Sequence, residues 1–164
     1  TLQRDSTPFS GVIASSQMNG RAGEIEVAGQ MRRAFVQLVS DNYFDVLGVV
    51  ALRGRVFHQP EQNVPGEPIA VISEEYWRRQ YGSDPSALGT TFRQGTREFT
   101  IAGIAPAGFR GTEIDVPVDV WVPVEQVVLP NARDRTSGRW MRVMGRLRPG
   151  ITPARAKEEI SVLL

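Results

Sequence analysis

The side chains able to do chemistry are few and scattered. His58 is the sole histidine among 164 residues, and imidazole is the one side chain whose ordinary pKa suits proton transfer near neutrality. A serine hydrolase would have to use it. Yet it follows Gly54-Arg55-Val56-Phe57 and precedes Gln59-Pro60-Glu61, and no Gly-x-Ser-x-Gly elbow occurs anywhere in the chain. It reads as a surface-loop histidine. With one histidine and no cysteine, the usual zinc ligand sets are excluded. The best oxygen cluster for calcium or magnesium is Glu113, Asp115 and Asp119. Alternate spacing puts Glu113 and Asp115 on one side of an extended strand; the other reading is solvated loop charge. A hydrolase with a carboxylate-based site would draw on the same three residues.

Glycine motifs point to turns and not to phosphate. Gly103-Ile104-Ala105-Pro106-Ala107-Gly108 lacks the spacing of a dinucleotide loop, its proline opposes a phosphate-binding helix start, and no Walker A sequence is present. No residue is assigned a catalytic, cofactor-binding or metal-binding role. One loop stands out as a possible contact for a partner. Phe109-Arg110-Gly111-Thr112-Glu113 sets an aromatic, a cation and an anion close together in a Gly- and Pro-rich stretch. Phe109, Arg110 and Glu113 either meet a partner, or Phe109 packs back while the charges are solvated. The aromatics Tyr76, Trp77, Tyr81 and Trp121 are read as packing, because Trp77 and Tyr81 are i,i+4 neighbours and Trp121 sits between valines.

The elements that must carry these residues are mostly strands. Phe9 to Met18 reads as a strand, followed by a hairpin turn at Asn19-Gly20-Arg21-Ala22-Gly23. Glu24-Ile25-Glu26-Val27 alternates as a strand with one wet face does. Met31 to Val39 continues in β character, with Phe35, Gln37 and Val39 on one side. Asp41 is placed to cap a short helix through Leu47, stopped by Gly48.

Residues 58–68 form a Pro-rich loop. Ile69-Ala70-Val71-Ile72 is an unbroken apolar run, as in a strand buried on both faces. Ser73 then caps a helix with Glu74 and Glu75 in its first turn, Arg78 and Arg79 near its end, and Gly82 as its stop. Asp84-Pro85 starts about one more turn. A hairpin bends around Gln94-Gly95-Thr96-Arg97, residues 105–118 form an exposed excursion, and Val120-Trp121-Val122 is a strand ended by Pro123. After a polar loop, 129–138, Trp140 to Leu147 alternates as a strand. Thr152-Pro153 opens a last helix whose apolar stripe is Ala156, Ile160 and Leu163 or Leu164. Strands with few helices and no regular βαβ alternation make the fold class α+β.

Composition narrows the partners. Hydrophobic residues make up 41% of the chain, enough for a packed core, and the formal charge is +1 from 19 basic and 18 acidic residues. That balance gives no footprint for nucleic acid. No stretch approaches the roughly 18 apolar residues of a membrane span. Thr1 is not an initiator methionine and a helical pattern runs out at Val162-Leu163-Leu164, so the chain is expected to be an excised piece of something longer.

The order of several segments carries more than any one of them: Val39-Ser40-Asp41-Asn42-Tyr43-Phe44-Asp45-Val46-Leu47-Gly48, Gly54-Arg55-Val56-Phe57, Ile69 to Ser73 with Tyr76-Trp77-Arg78-Arg79, Asp84 to Gly89, Phe99 to Ala105, and Val118-Asp119-Val120-Trp121-Val122-Pro123. In order and spacing they resemble the extracytoplasmic core domain of MacB/FtsX-type ABC transporter permeases, especially the orphan permeases. The resemblance implies a two-lobed MacB-like periplasmic core domain. Residues 1–57 and 138–164 would form a first, discontinuous lobe, and 58–137 an inserted mixed lobe.

It also implies a non-catalytic domain, on the periplasmic or outer side of the cytoplasmic membrane, that relays ATP-driven motion of membrane helices to a substrate or partner outside. No cofactor is expected here. ATP would act only on a separate cytoplasmic ATPase, the cognate partner of a full-length permease held by flanking membrane helices and dimeric. A second expectation from the residues themselves is a secreted or membrane-anchored module that binds a ligand between the lobes.

Overall fold

The computed structural model describes residues 7–16, 23–58, 68–113, 115–127 and 141–161. Ten strands occur among them: β1 (Phe9–Ser16), β2 (Gly23–Val27), β3 (Gln30–Ala34), β4 (Val36–Val39), β5 (Arg53–Gly54), β6 (Ile69–Ile72), β7 (Thr91–Gln94), β8 (Arg97–Ile104), β9 (Val120–Pro123) and β10 (Met141–Leu147). Four short helices accompany them: α1 (Tyr43–Leu47), α2 (Glu74–Tyr81), α3 (Val124–Val127) and α4 (Pro153–Ser161). The strands join one mixed sheet in the order β10-β1-β4-β9-β6-β8-β7-β2-β3, with β5 added beside β8. The pairs β4–β9 and β6–β8 are parallel and the rest antiparallel. This is the α+β architecture expected, a large mixed sheet with few short helices.

The central strands sort their side chains by the two-residue period of a strand. In β6, Ala70 and Ile72 enter one apolar cluster while Ile69 and Val71 enter the other. In β9, Val120 and Val122 join the first cluster and Trp121 the second. The first cluster includes Tyr76 and Trp77 of α2, and the second includes Tyr43 and Phe44 of α1. A central sheet covered on both faces explains why β6 and β9 are continuously apolar.

Helix α2 forms as its local sequence dictates. The Ser73 hydroxyl accepts the Tyr76 N–H at 3.1 Å, and at the other end Gly82, at φ 59°, donates its N–H to the Arg78 carbonyl while Ser83 donates to that of Trp77. Asp84 accepts the Ser86 N–H at 2.8 Å and starts the single turn Pro85–Ala87. The 91–104 hairpin turns at Gly95-Thr96.

Four expectations need correction. Asn42, not Asp41, occupies the cap of α1, and its side chain makes no capping bond there. Instead Asn42 donates to the Val12 carbonyl at 2.9 Å and accepts from Ser40 Oγ at 2.8 Å, tying the helix start to β1, while Asp41 is buried. The run from Met31 to Val39 breaks at Phe35, where Asp119 takes over the backbone. Asp119 Oδ2 accepts the Phe35 N–H at 3.0 Å, and the Phe35 carbonyl accepts the N–H groups of Asp119 and Val120. Residues 105–118 are not a simple exposed excursion, since Ala105 and Val118 are buried and Phe109 packs inward. Strand β10 exists, but Arg142 to Arg146 are exposed without the wet–dry alternation its sequence suggests.

Three ladders join residues 1–57 to residues 58–137: β4–β9, β5–β8 and β2–β7. The loop 58–68 lies outside the described residues except for its ends, and the loop 129–138 lies wholly outside them, as does the turn at 19–22.

Candidate partner-contact cleft

Where β6 runs into α2 and the chain enters β9, the surface is concave. A cleft of about 430 Å³ opens there. Phe35, Phe109, Pro117 and Val118 supply its apolar surface, and Glu74, Glu75, Arg78, Arg79, Arg110 and Asp119 its charge. Asp119 anchors it. With Oδ2 on the Phe35 N–H, Asp119 Oδ1 accepts from Arg79 Nη2 at 2.9 Å, and Arg79 lies 5.5 Å from the centre of the Tyr76 ring. Two looser pairs flank it: Arg78 with Glu74 and Arg110 with Glu75, each at 3.9 Å.

The sequence-selected loop divides across this cleft. The Phe109 ring packs against Trp121 and Phe44, with centroids 5.2 and 6.0 Å apart, so it belongs to the core. Arg110 projects and spans toward α2 through Glu75. Glu113 turns the other way, accepting from Gln37 Nε2 at 3.5 Å. Nearby, the Tyr43 hydroxyl donates to Thr112 Oγ1 at 3.4 Å, and burial pushes the Tyr43 phenol above its ordinary pKa, partly offset by Thr112. Phe109, Arg110 and Glu113 therefore do not share one outward face.

The other candidates separate as well. Asp115 is exposed and Asp119 is committed to Phe35 and Arg79, and no group of three or more His, Asp or Glu side chains converges among the described residues. His58 Nδ1 lies 2.5 Å from Asp45 Oδ1 in an exposed pair that takes no part in the cleft's lining. Gly103 sits in β8 where the Arg55 carbonyl crosses its Cα, a close approach that a Cβ would block.

Tyr76, on the buried face of α2, lies beside Tyr81. Burial first, then the neighbouring Tyr81 and Asp119, pushes its phenol up to about 12. Trp77 is fixed by its indole N–H donating to the Asp84 carbonyl at 2.7 Å. Sequence reasoning missed the part played by Asp119, Arg78 and Arg79. The two arginines were explained by the helix dipole alone, and nothing local marks an aspartate that will serve a backbone 84 residues away.

The MacB-like periplasmic core domain family matches residues 2–163. The chain belongs to that family. It is 31% identical over 107 residues to the macrolide export ATP-binding/permease protein MacB 1/2 of Paracoccus denitrificans, an alignment covering 65% of this chain and 15% of that protein. The chain thus spans a small part of that relative's length. Among solved structures, the periplasmic region of MacB from Actinobacillus actinomycetemcomitans superposes with a TM-score of 0.70 at 16% identity, covering 99% of this chain and 69% of that one.

A domain of a putative permease protein from Porphyromonas gingivalis gives 0.70 at 17% identity, covering 99% and 72%. The extracellular domain of the noncanonic ABC-type transporter YknZ from Gram-positive bacteria gives 0.64 at 14%, covering 93% and 71%. The fold is that of an extracytoplasmic domain of a MacB-like ABC transporter permease. No helix among the described residues is long and apolar enough to cross a membrane.

Proposed function

We propose that this domain is a non-catalytic relay. A separate cytoplasmic ATPase hydrolyses ATP and moves the membrane helices of a dimeric permease. This domain, needing no cofactor of its own, carries that motion to a substrate or partner outside. The observation that supports the reading is the sheet itself: its centre, packed on both faces, resists bending and transmits displacement. Residues 1–57 with 138–164 act as the base of the relay and 58–137 as its output, joined through the β4–β9, β5–β8 and β2–β7 ladders. Relative movement of the two parts is of the hinge kind, about the β4–β9 ladder with its four register pairs and opening at β2–β7, where one register pair, Glu26 with Arg93, joins them.

The test is a reversible lock. Glu26 and Arg93 are register partners across β2 and β7, one in each part. With both changed to cysteine in the full-length permease, oxidation is expected to stop transport while ATP hydrolysis continues, and a reductant to restore it. Undiminished transport in the fully oxidised protein would rule out relative motion of the two parts as the relay.

A further inference from the structure

The cleft's charges are balanced in number but not in presentation. Its three guanidinium side chains, Arg78, Arg79 and Arg110, are 65%, 46% and 66% exposed. Their carboxylate partners Glu74, Asp119 and Glu75 are 22%, 9% and 49% exposed. Each cation is therefore more exposed than the carboxylate it pairs with. Only the central pair is tight, at 2.9 Å; the two flanking pairs, at 3.9 Å, leave guanidinium donors open to a better-placed acceptor. Between them lies an apolar surface of Phe35, Phe109, Pro117 and Val118. Part of it is anchored in the core through Phe109 and Val118, which gives the cleft a rigid wall.

We propose that this cleft docks an extended acidic peptide segment of an extracytoplasmic protein. One apolar side chain of that segment fills the cleft, and flanking carboxylates pair with Arg78 and Arg110. The volume of about 430 Å³ admits a side chain with its neighbouring backbone. An apolar surface recessed behind projecting arginines favours a protruding chain over a flat lipid surface, which would meet the arginines and leave the recess empty. Arg79 stays with Asp119 and holds the wall in place. The proposal deepens the relay reading, on which the existence of an outside partner rests, and gives the relay an output on α2 and the 105–118 loop.

The probe is a short synthetic peptide, Asp-Glu-Phe-Glu-Asp with blocked ends, titrated into the 164-residue chain and followed by amide and arginine Nε–H NMR shifts. Shifts confined to residues 73–79, 108–110 and 117–119 are expected. They should weaken with added salt and be absent with a lysine-substituted peptide. Arg78→Glu with Arg110→Glu is expected to weaken binding by about tenfold or more. Both side chains are exposed, so the fold is retained, as unchanged shifts elsewhere will verify. Arg110→Lys keeps the charge and should retain most of the binding. No shifts, shifts unaffected by the charge reversals, or cleft shifts seen only with vesicles containing phosphatidylglycerol would each overturn the proposal. This titration reads docking alone, whereas the disulfide lock reads the relay, so either can fail without the other.

Discussion

Strands β9 and β10 are both rich in apolar residues, yet the protein treats them in opposite ways. All of β9 is buried, with Trp121 wholly inside, whereas the middle of β10 is exposed and Val143 faces water. Neighbours account for the difference. β9 lies between β4 and β6 with helices over both faces, while β10 pairs with β1 alone at one end of the sheet. Composition gives a strand its capacity to be buried; position in the sheet decides whether that capacity is used. The centre is therefore the stiff part of the sheet and the β1–β10 end the tolerant part.

The sharpest way to break this comparison is a pair of truncations followed by denaturant unfolding. Trp121→Ala removes an indole that touches Phe44 and Phe109 and should cost about 3–5 kcal/mol. Val143→Ala at the exposed edge should change stability by less than about 0.5 kcal/mol. Similar losses at both sites would mean the edge is as tightly packed as the centre.

A second pair concerns glycines in each region. At Gly103 an added Cβ meets the Arg55 backbone, which has nowhere to go, so Gly103→Ala should cost about 1–3 kcal/mol or more. At Gly145 the added Cβ meets the Phe9 ring, which can rotate away, so Gly145→Ala should cost less. The order of the two midpoints at equal slope is the readout.

The smallest effect tests the central layer by pH. Tyr76 has its pKa raised above the ordinary 10.0 of a phenol, to about 12. The folded state thus holds this proton more tightly than the unfolded state. That contribution is complete below pH 10 and is lost as pH rises from 10 to 12. Tyr76→Phe should flatten this part of the stability profile. Its hydroxyl has no hydrogen-bond partner among the described residues, so the substitution should shift stability at pH 7 by no more than about 1 kcal/mol. An unchanged alkaline slope would move the titration to another group.

Local chemistry alone specified much of the fold. Ser73, Gly82 and Asp84-Pro85 bound α2 and the turn after it through bonds that span only a few residues. Ile69–Ile72 announced a doubly buried strand through its unbroken apolar run. The family too was legible, in the order of short segments from Val39 to Pro123.

Other features depended on partners far away in the chain. The break at Phe35 exists because Asp119 captures its N–H, and Asn42 spends its side chain on Val12 instead of capping α1. Glu113 turns to Gln37 and Phe109 packs on Trp121 while still forming part of the cleft wall, beside Arg110, Arg78 and Arg79. A side chain's type limits what it can bind, and sequence reports that type directly. Which partner it meets, and so whether it faces water, is set by a packing competition among residues tens of positions apart, and only the tertiary structure decides that.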